Sequence, residues 1–105
     1  LVMFQRSADV PVGVPANMIQ YAALTLMISQ ATGYEPHQFI HMMSDAHIYV
    51  DQIPQVEQVI SRSWKVFPTV NMDQSVNNLF DFRTEHFTLS DYNPHPAIKD
   101  IPVAV

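Results

Sequence analysis

Cysteine is absent from this 105-residue chain, glycine occurs only at positions 13 and 33, and charged residues account for just 14% of the sequence. Without cysteine, these residues can form no disulfide, no thiolate metal site and no thiol nucleophile. Two isolated glycines also exclude a glycine-rich phosphate-binding loop. The net charge of −5 argues against general nucleic-acid binding, which needs a basic surface to displace counterions, although one arginine can still hold a single phosphate.

Long hydrophobic runs are missing as well. No apolar stretch approaches the roughly 18 to 20 residues that span a bilayer, and no signal-peptide pattern is present, so we expect a cytoplasmic protein without a membrane partner. Apolar residues nevertheless make up 48% of the chain, and its charged fraction is well below the usual average of about 25%. Because Leu1 also stands inside an apparent strand, we expect residues 1–105 to be a portion of one larger domain.

The distribution of apolar residues predicts an α+β fold, with a mixed sheet packed on a long buried helix. A helix over 16–31 is apolar on nearly every face, which is typical of a buried helix, and Gly33 follows where a left-handed residue often ends one. Residues 38–50 read as a long strand whose even positions are apolar or small and whose odd positions carry most of the polar groups. Further strands are predicted at 1–8, 67–71 and 86–90, and a short helix at 54–62.

Several polar side chains have more than one interpretation on local grounds. Arg6 and Ser7 follow a strand and suit a phosphate, but they equally suit a surface arginine beside a turn serine. Asn17 can pair with the donor and acceptor edge of uracil, or it can cap the helix that starts there. Asp9 can accept a hydrogen bond from a ligand amine or stabilise a turn.

His47 and Tyr49 lie on one face of the predicted strand, roughly 7 Å apart. There they can bind a sugar hydroxyl or simply pack as partly buried polar residues. His41 shares that face but lies about 20 Å from His47 along an extended strand, so the two cannot ligate one ion. The remaining histidines have no partner at metal-ligand spacing, and we expect no metal site.

Three strings, taken in chain order, resemble the thymidylate synthase family. They are QRSADVPVGVPAN at 5–17, DAHIY at 45–49 and YNPHPAIK at 92–99, followed by a hydrophobic end, VAV at 103–105. The resemblance implies a homodimeric methyltransferase that converts dUMP to dTMP with 5,10-methylenetetrahydrofolate. It implies dUMP contacts from Gln5, Arg6, Ser7, Asn17, His47 and Tyr49, and folate contacts from Asp9, Gly13 and Val105.

The same resemblance places the catalytic cysteine upstream of Leu1, so residues 1–105 would form the C-terminal portion of a single thymidylate synthase domain. Such a chain supplies binding and positioning groups but no catalytic residue, and we expect no methylation activity from it alone. Asp51 departs from the asparagine that the family commonly carries near the base. The alternatives are a stand-alone, non-catalytic nucleotide-binding module and a purely structural dimerisation module.

Two structural expectations follow from these assignments. Arg6 and Ser7 are neighbours, and a regular strand sends neighbouring side chains to opposite faces. If both contact one phosphate, a bulge or a strand end is needed, so we expect irregular pairing at residues 5–8. The apolar face of residues 40–50 also needs cover, and a sheet stacked on its symmetry mate in a homodimer would supply it.

Overall fold

The computed structural model of the chain describes residues 1–103, and it confirms the predicted α+β class. The implied folate contact of Val105 therefore lies outside the described residues. In chain order, the helices and strands are β1 (Val2–Asp9), α1 (Gly13–Thr32), β2 (Ile40–His47), α2 (Ile53–Ile60), β3 (Thr69–Met72) and β4 (Phe87–Ser90). Short 3-10 turns occupy Val50–Gln52, Leu79–Asp81 and Thr84–His86.

Strands β1 and β2 run parallel, and α1 connects them. A parallel pair cannot be closed by a tight hairpin, so the chain must cross back through a longer segment, here the helix. Strands β3 and β4 pair antiparallel in a second sheet. The prediction of one mixed sheet is therefore wrong for residues 1–103, because no strand of the parallel pair is hydrogen-bonded to a strand of the antiparallel pair.

The register of β1 against β2 contains no bulge. Val2 lies opposite Ile40 at one end and Asp9 lies opposite His47 at the other, so the offset between the strands does not change. An inserted residue would have shifted that offset. Arg6 is the one residue of β1 that has no register partner in β2. The irregular pairing expected at residues 5–8 is therefore limited to this position. Neither a bulge nor a strand end is therefore present at residues 5–8, because the offset is constant and the strand continues beyond Ser7 to Asp9.

Helix α1 begins at Gly13, ahead of the predicted start at residue 16. Pro15 is tolerated because N–H groups in the first turn have no partner within the helix. Just before the helix, the Val12 N–H donates to Asp9 Oδ1 at 3.2 Å, which closes the turn after β1. Asn17 consequently lies inside the helix, and its interpretation as the N-cap is wrong.

The expected burial of α1 is not confirmed within residues 1–103. Its only buried residues are Val14 and Ser29, whereas Met18 is 49% exposed and Ile19 is 71% exposed. The buried apolar side chains of the whole described chain are Ala8, Val14 and Phe82. The sequence pattern correctly indicates a helix that is apolar all round, but this chain offers too few elements to cover it.

Gln30 connects the helix to the second sheet. Its Nε2 donates to the carbonyl oxygens of Asp73 at 2.8 Å and Val76 at 2.6 Å, just after β3.

Hydrogen bonds from the side chain and the backbone of Ser75 lower the pKa of Asp73 from its ordinary 3.8. Because the ionised carboxylate is the bonded form, this contribution to stability is present above the ordinary pKa and is lost as the pH falls through the lowered one.

No helix among residues 1–103 is both long and apolar enough to cross a membrane. Although α1 has 20 residues, polar side chains interrupt its apolar ones.

The C-terminal end of α1 is set by Gly33, which has φ 74° and ψ 15° and whose N–H donates to the Ser29 carbonyl. The prediction that a left-handed Gly33 ends the helix is therefore confirmed.

We expect Gly33→Ala to lower the free energy of unfolding by about 1 kcal/mol, because a side chain at this positive φ is strained. The added Cβ would meet nothing within 4 Å, so the loss comes from the backbone alone. Urea denaturation followed by circular dichroism measures it. Gly33→Asn is the matched control and should lose less, because asparagine tolerates the left-handed region. Equal losses in the two variants would contradict this account.

Candidate functional site

The site is built on one face of the parallel strand pair. Side chains alternate along a strand, so Gln5, Ser7 and Asp9 of β1 share a face. The register places Ser7 opposite Asp45 and Asp9 opposite His47, which brings the polar groups of both strands to that face. The prediction that the odd positions of β2 carry its polar chemistry agrees with this arrangement.

A continuous cluster of polar and aromatic side chains lies at the C-terminal end of the strands and consists of Ser7, Asp45, His47 and Tyr49. Ser7 Oγ donates to Asp45 Oδ2 at 3.4 Å, a long and therefore weak hydrogen bond. Asp45 Oδ1 lies 3.5 Å from His47 Nδ1, and the His47 and Tyr49 rings meet edge to face with centroids 5.0 Å apart. The structure thus brings His47 and Tyr49 together as the sequence predicted, although β2 ends at His47, before Tyr49.

The surroundings of His47 select its tautomer. Its Nδ1 lies 3.2 Å from the backbone carbonyl oxygen of Asp45 and 3.5 Å from the carboxylate of the same residue. Both neighbours are acceptors, so Nδ1 carries the hydrogen and Nε2 of the neutral ring is an acceptor. An acceptor at Nε2, on a ring that packs edge to face with the Tyr49 ring, is a suitable partner for a sugar hydroxyl.

A second group of side chains surrounds Gln5. Its Nε2 donates to Asn17 Oδ1 at 3.1 Å and to the Ser7 carbonyl at 2.9 Å, while its Oε1 accepts from His41 Nε2 at 2.7 Å. His41 also stacks on Phe39, and its buried Nδ1 has no hydrogen-bond partner among residues 1–103. Gln5 therefore links the helix, through Asn17, to the cluster that contains Ser7.

These contacts orient the Asn17 carboxamide. Since Gln5 Oε1 accepts from His41, the Gln5 amide nitrogen must face Asn17, and Asn17 must present its oxygen to Gln5. A carboxamide oxygen has two lone pairs and its nitrogen has two hydrogens. Asn17 therefore keeps one acceptor and two donors for another molecule, which matches the adjacent donor and acceptor of a uracil edge.

A third group centres on Gln52, which is fully buried. Its Nε2 donates to Asp9 Oδ2 at 3.0 Å and to the Pro102 carbonyl at 2.8 Å, and its Oε1 accepts from the Tyr49 N–H at 2.9 Å. The sequence interpretation missed this residue. The available signal was the spacing from Tyr49, because a glutamine three residues after a helix cap often reaches back to the cap N–H. The neighbouring Asp51, by contrast, is exposed.

Arg6 does not join these groups directly. It is exposed, and by strand alternation it lies on the face opposite Ser7. Among residues 1–103, no Asp or Glu carboxylate lies within salt-bridge distance of the Arg6 guanidinium.

Gly13 lies between two of the predicted ligand-binding side chains. A Cβ at this position would be 3.7 Å from Asp9 Cβ and 3.8 Å from Asn17 Oδ1, which are ordinary contact distances. The packing of the chain itself therefore has room for a methyl group at residue 13. The neighbouring residues of the described chain therefore impose no requirement for glycine here.

The site is an open face rather than a closed pocket. A cleft of about 480 Å³ elsewhere is lined by residues such as Leu1, Thr25 and His37, and it contains none of the predicted ligand-binding residues. Hydrogen-bonding side chains converge on the strand face, whereas the walls of the cleft are mostly apolar. Within residues 1–103 no three His, Asp or Glu side chains are arranged to hold a metal ion.

The comparison with known protein families covers the entire chain. The family model described as thymidylate synthase matches residues 1–105. The match includes each of the three strings that suggested the resemblance. The chain therefore belongs to the thymidylate synthase family.

Proposed function

We propose that this chain is the nucleotide- and folate-binding C-terminal part of a thymidylate synthase, which methylates dUMP reductively to dTMP with 5,10-methylenetetrahydrofolate. The observation that carries the proposal is the shared polar face of β1 and β2. On it, Ser7, Asp45 and His47 converge, and Gln5 joins this cluster to Asn17. One face thus offers hydrogen-bonding groups for a phosphate, a sugar and a pyrimidine.

For dUMP, Ser7 and Arg6 are the phosphate-binding pair in this proposal. The Ser7–Asp45 hydrogen bond is long and weak at 3.4 Å, so it is easily exchanged for a shorter one to a phosphate oxygen. Arg6 supplies the positive charge, and its side chain has to pass the edge of β1 to reach the same phosphate. His47 Nε2 and the Tyr49 hydroxyl then hold the ribose hydroxyl, while Gln5 orients Asn17 towards the uracil edge.

For the folate, the proposed contacts are Asp9, Gly13 and Val105. Asp9 has both carboxylate oxygens engaged, with the Val12 N–H and with Gln52, yet each oxygen retains a lone pair for a pterin amine. Gly13 leaves room beside Asp9 for the ligand to approach the backbone. Closure of the tail at Val105 would exclude water from the reacting groups.

The bond-forming thiolate must come from outside these 105 residues, because they contain no cysteine. Family chemistry begins with thiolate attack on the uracil ring, which activates the neighbouring carbon to receive the one-carbon unit. In this proposal the chain supplies only positioning and binding, and it is inactive by itself. Asp51 is exposed and is not assigned to base recognition.

We also propose a homodimer formed through the opposite face of the strand pair, in a cytoplasmic protein. Phe4 is 77% exposed there, and Val2, Ile40 and Met42 are each at least 40% exposed. An apolar sheet face of this kind is stabilised when it stacks on a second sheet. A symmetric interface would place the same residues of both subunits in contact.

Isothermal titration calorimetry tests the nucleotide site. We expect the chain to bind dUMP more tightly than deoxyuridine, and Arg6→Ala to weaken dUMP binding about tenfold while leaving deoxyuridine binding unchanged. The physical reason is the loss of charge-assisted hydrogen bonds to the phosphate. Lys99→Ala is the matched control, since it removes an exposed positive charge outside the proposed site. Absence of dUMP binding at millimolar concentrations would disprove the nucleotide assignment.

Asn17→Asp tests the base-reading assignment. The variant keeps an oxygen for the Gln5 Nε2 bond but replaces the donor that would face uracil O4 with a second acceptor. We expect dUMP binding to fall about tenfold and dCMP, which has an exocyclic donor, to gain relative to it. Competition between the two nucleotides measures the ratio. A ratio that stays the same in wild type and variant would rule out contact between Asn17 and the base.

Gly13→Ala separates ligand binding from stability. Alanine in place of glycine within a helix raises the free energy of unfolding by roughly 0.5 to 1 kcal/mol, and the space next to Asp9 and Asn17 accepts the methyl group. The same methyl group would narrow the proposed folate approach. We therefore expect a higher urea midpoint together with weaker tetrahydrofolate binding. A stabilised variant that binds tetrahydrofolate as well as wild type would remove Gly13 from the site.

A further inference from the structure

Gln52 is a fully buried amide whose hydrogen-bonding groups are all engaged. Its two amide donors meet Asp9 Oδ2 at 3.0 Å and the Pro102 carbonyl at 2.8 Å, and its carbonyl oxygen accepts from the Tyr49 N–H at 2.9 Å. Buried polar groups are retained when they are satisfied in this way, and such networks hold their members in one arrangement.

The three partners of Gln52 come from different parts of the chain. Asp9 ends β1, Tyr49 follows β2, and Pro102 belongs to the C-terminal tail, residues 97–103, which forms no helix or strand. Within residues 1–103, the bond from Gln52 to Pro102 is the only hydrogen bond between this tail and the rest of the chain. Ile101 and Pro102 are also partly buried, so the tail packs against the body at this point.

We propose that Gln52 is a positioning residue that couples docking of the C-terminal tail to the orientation of Asp9. The Asp9 carboxylate has one oxygen held by the Val12 N–H and the other held by Gln52, which fixes its plane. The same amide nitrogen of Gln52 holds the tail. A ligand that binds Asp9 in this fixed orientation stabilises the docked tail. Because coupling between sites is reciprocal, a docked tail raises the affinity for that ligand by the same factor.

The identity of the ligand at Asp9 rests on the proposed function, but the link between Gln52 and the tail does not. Gln52→Glu is the informative variant, because it keeps the shape and the acceptor for the Tyr49 N–H. In its ionised form it has neither donor and sets a second carboxylate beside Asp9, so the measurements are made at a pH where glutamate is ionised. Gln58→Glu is the matched control, as it makes the same substitution at an exposed position of α2.

Nitrogen-15 NMR relaxation on the full chain measures the tail directly. In Gln52→Glu we expect the heteronuclear NOE values of Ile101 and Val103 to fall by about half, and the amide shift of Val12 to move, while shifts in the middle of α1 stay unchanged. Gln58→Glu should resemble wild type in each respect. Tail NOE values that are the same in Gln52→Glu and wild type would overturn the proposal.

Titration with tetrahydrofolate in the presence of dUMP measures the coupling. We expect Gln52→Glu to raise the Kd for tetrahydrofolate about tenfold, within the usual range of coupling between sites, while the Kd for dUMP stays the same. A released tail with an unchanged tetrahydrofolate Kd would overturn the coupling. Failure of wild type to bind tetrahydrofolate would instead overturn the folate assignment, and the NMR result would still decide the link to the tail.

If Gln52→Glu loses its dispersed amide spectrum, Gln52→Asn replaces it in both measurements. Asparagine keeps the amide but is one methylene shorter, so it cannot span from Asp9 to Pro102 while it accepts from the Tyr49 N–H. The expected results are the same: lower NOE values at Ile101 and Val103, and weaker tetrahydrofolate binding. An ordered tail in a folded Gln52→Asn variant would count against the proposal.

Discussion

The parallel pairing of β1 with β2 is the constraint on which the rest of the site depends. A single constant register sets Ser7 opposite Asp45 and Asp9 opposite His47, so four polar side chains that are remote in sequence share one face. Because parallel strands need a crossover, α1 must follow directly, and its first turns bring Asn17 within hydrogen-bonding distance of Gln5. The groups proposed to read the base and to hold the sugar are therefore positioned by the same pair of strands.

Hydrogen bonds made by side chains, rather than apolar packing, join the parts of this site. Gln5 connects Asn17, His41 and the Ser7 carbonyl, while Gln52 connects Asp9, Tyr49 and Pro102. Both residues are carboxamides, which donate and accept at once and can therefore bridge groups of opposite kind. The small set of buried apolar residues, Ala8, Val14 and Phe82, makes such bridges more important for holding the segments together.

Residues 1–103 leave two apolar surfaces without cover. Helix α1 is apolar around its circumference, and the face of the strand pair that carries Phe4 and Met42 is open. In the proposed dimer, that strand face would be covered by its symmetry mate. The same strands would then present polar groups to ligands on one side and apolar groups to a second subunit on the other, as strand alternation allows.

The alternation of residues in β2, the left-handed Gly33 and the order of the three family strings were all readable from the sequence, because each depends on residues that are close in the chain. The start of α1 was predicted late, since Asp9 closes the preceding turn and allows the helix to begin at Gly13. The mixed sheet was wrong because strand partnership depends on contacts across the fold, which local periodicity does not contain.

By itself, the sequence determined the family, the α+β class and the residue types available for binding. Only the tertiary structure decided which of them meet. It placed Arg6 and Ser7 on opposite faces without a bulge, it made Gln5 the link between Asn17 and His41, and it buried Gln52 between Asp9 and the tail. The reason is physical: the identity of a side chain fixes its donors and acceptors, whereas its partners depend on strand register and chain crossing.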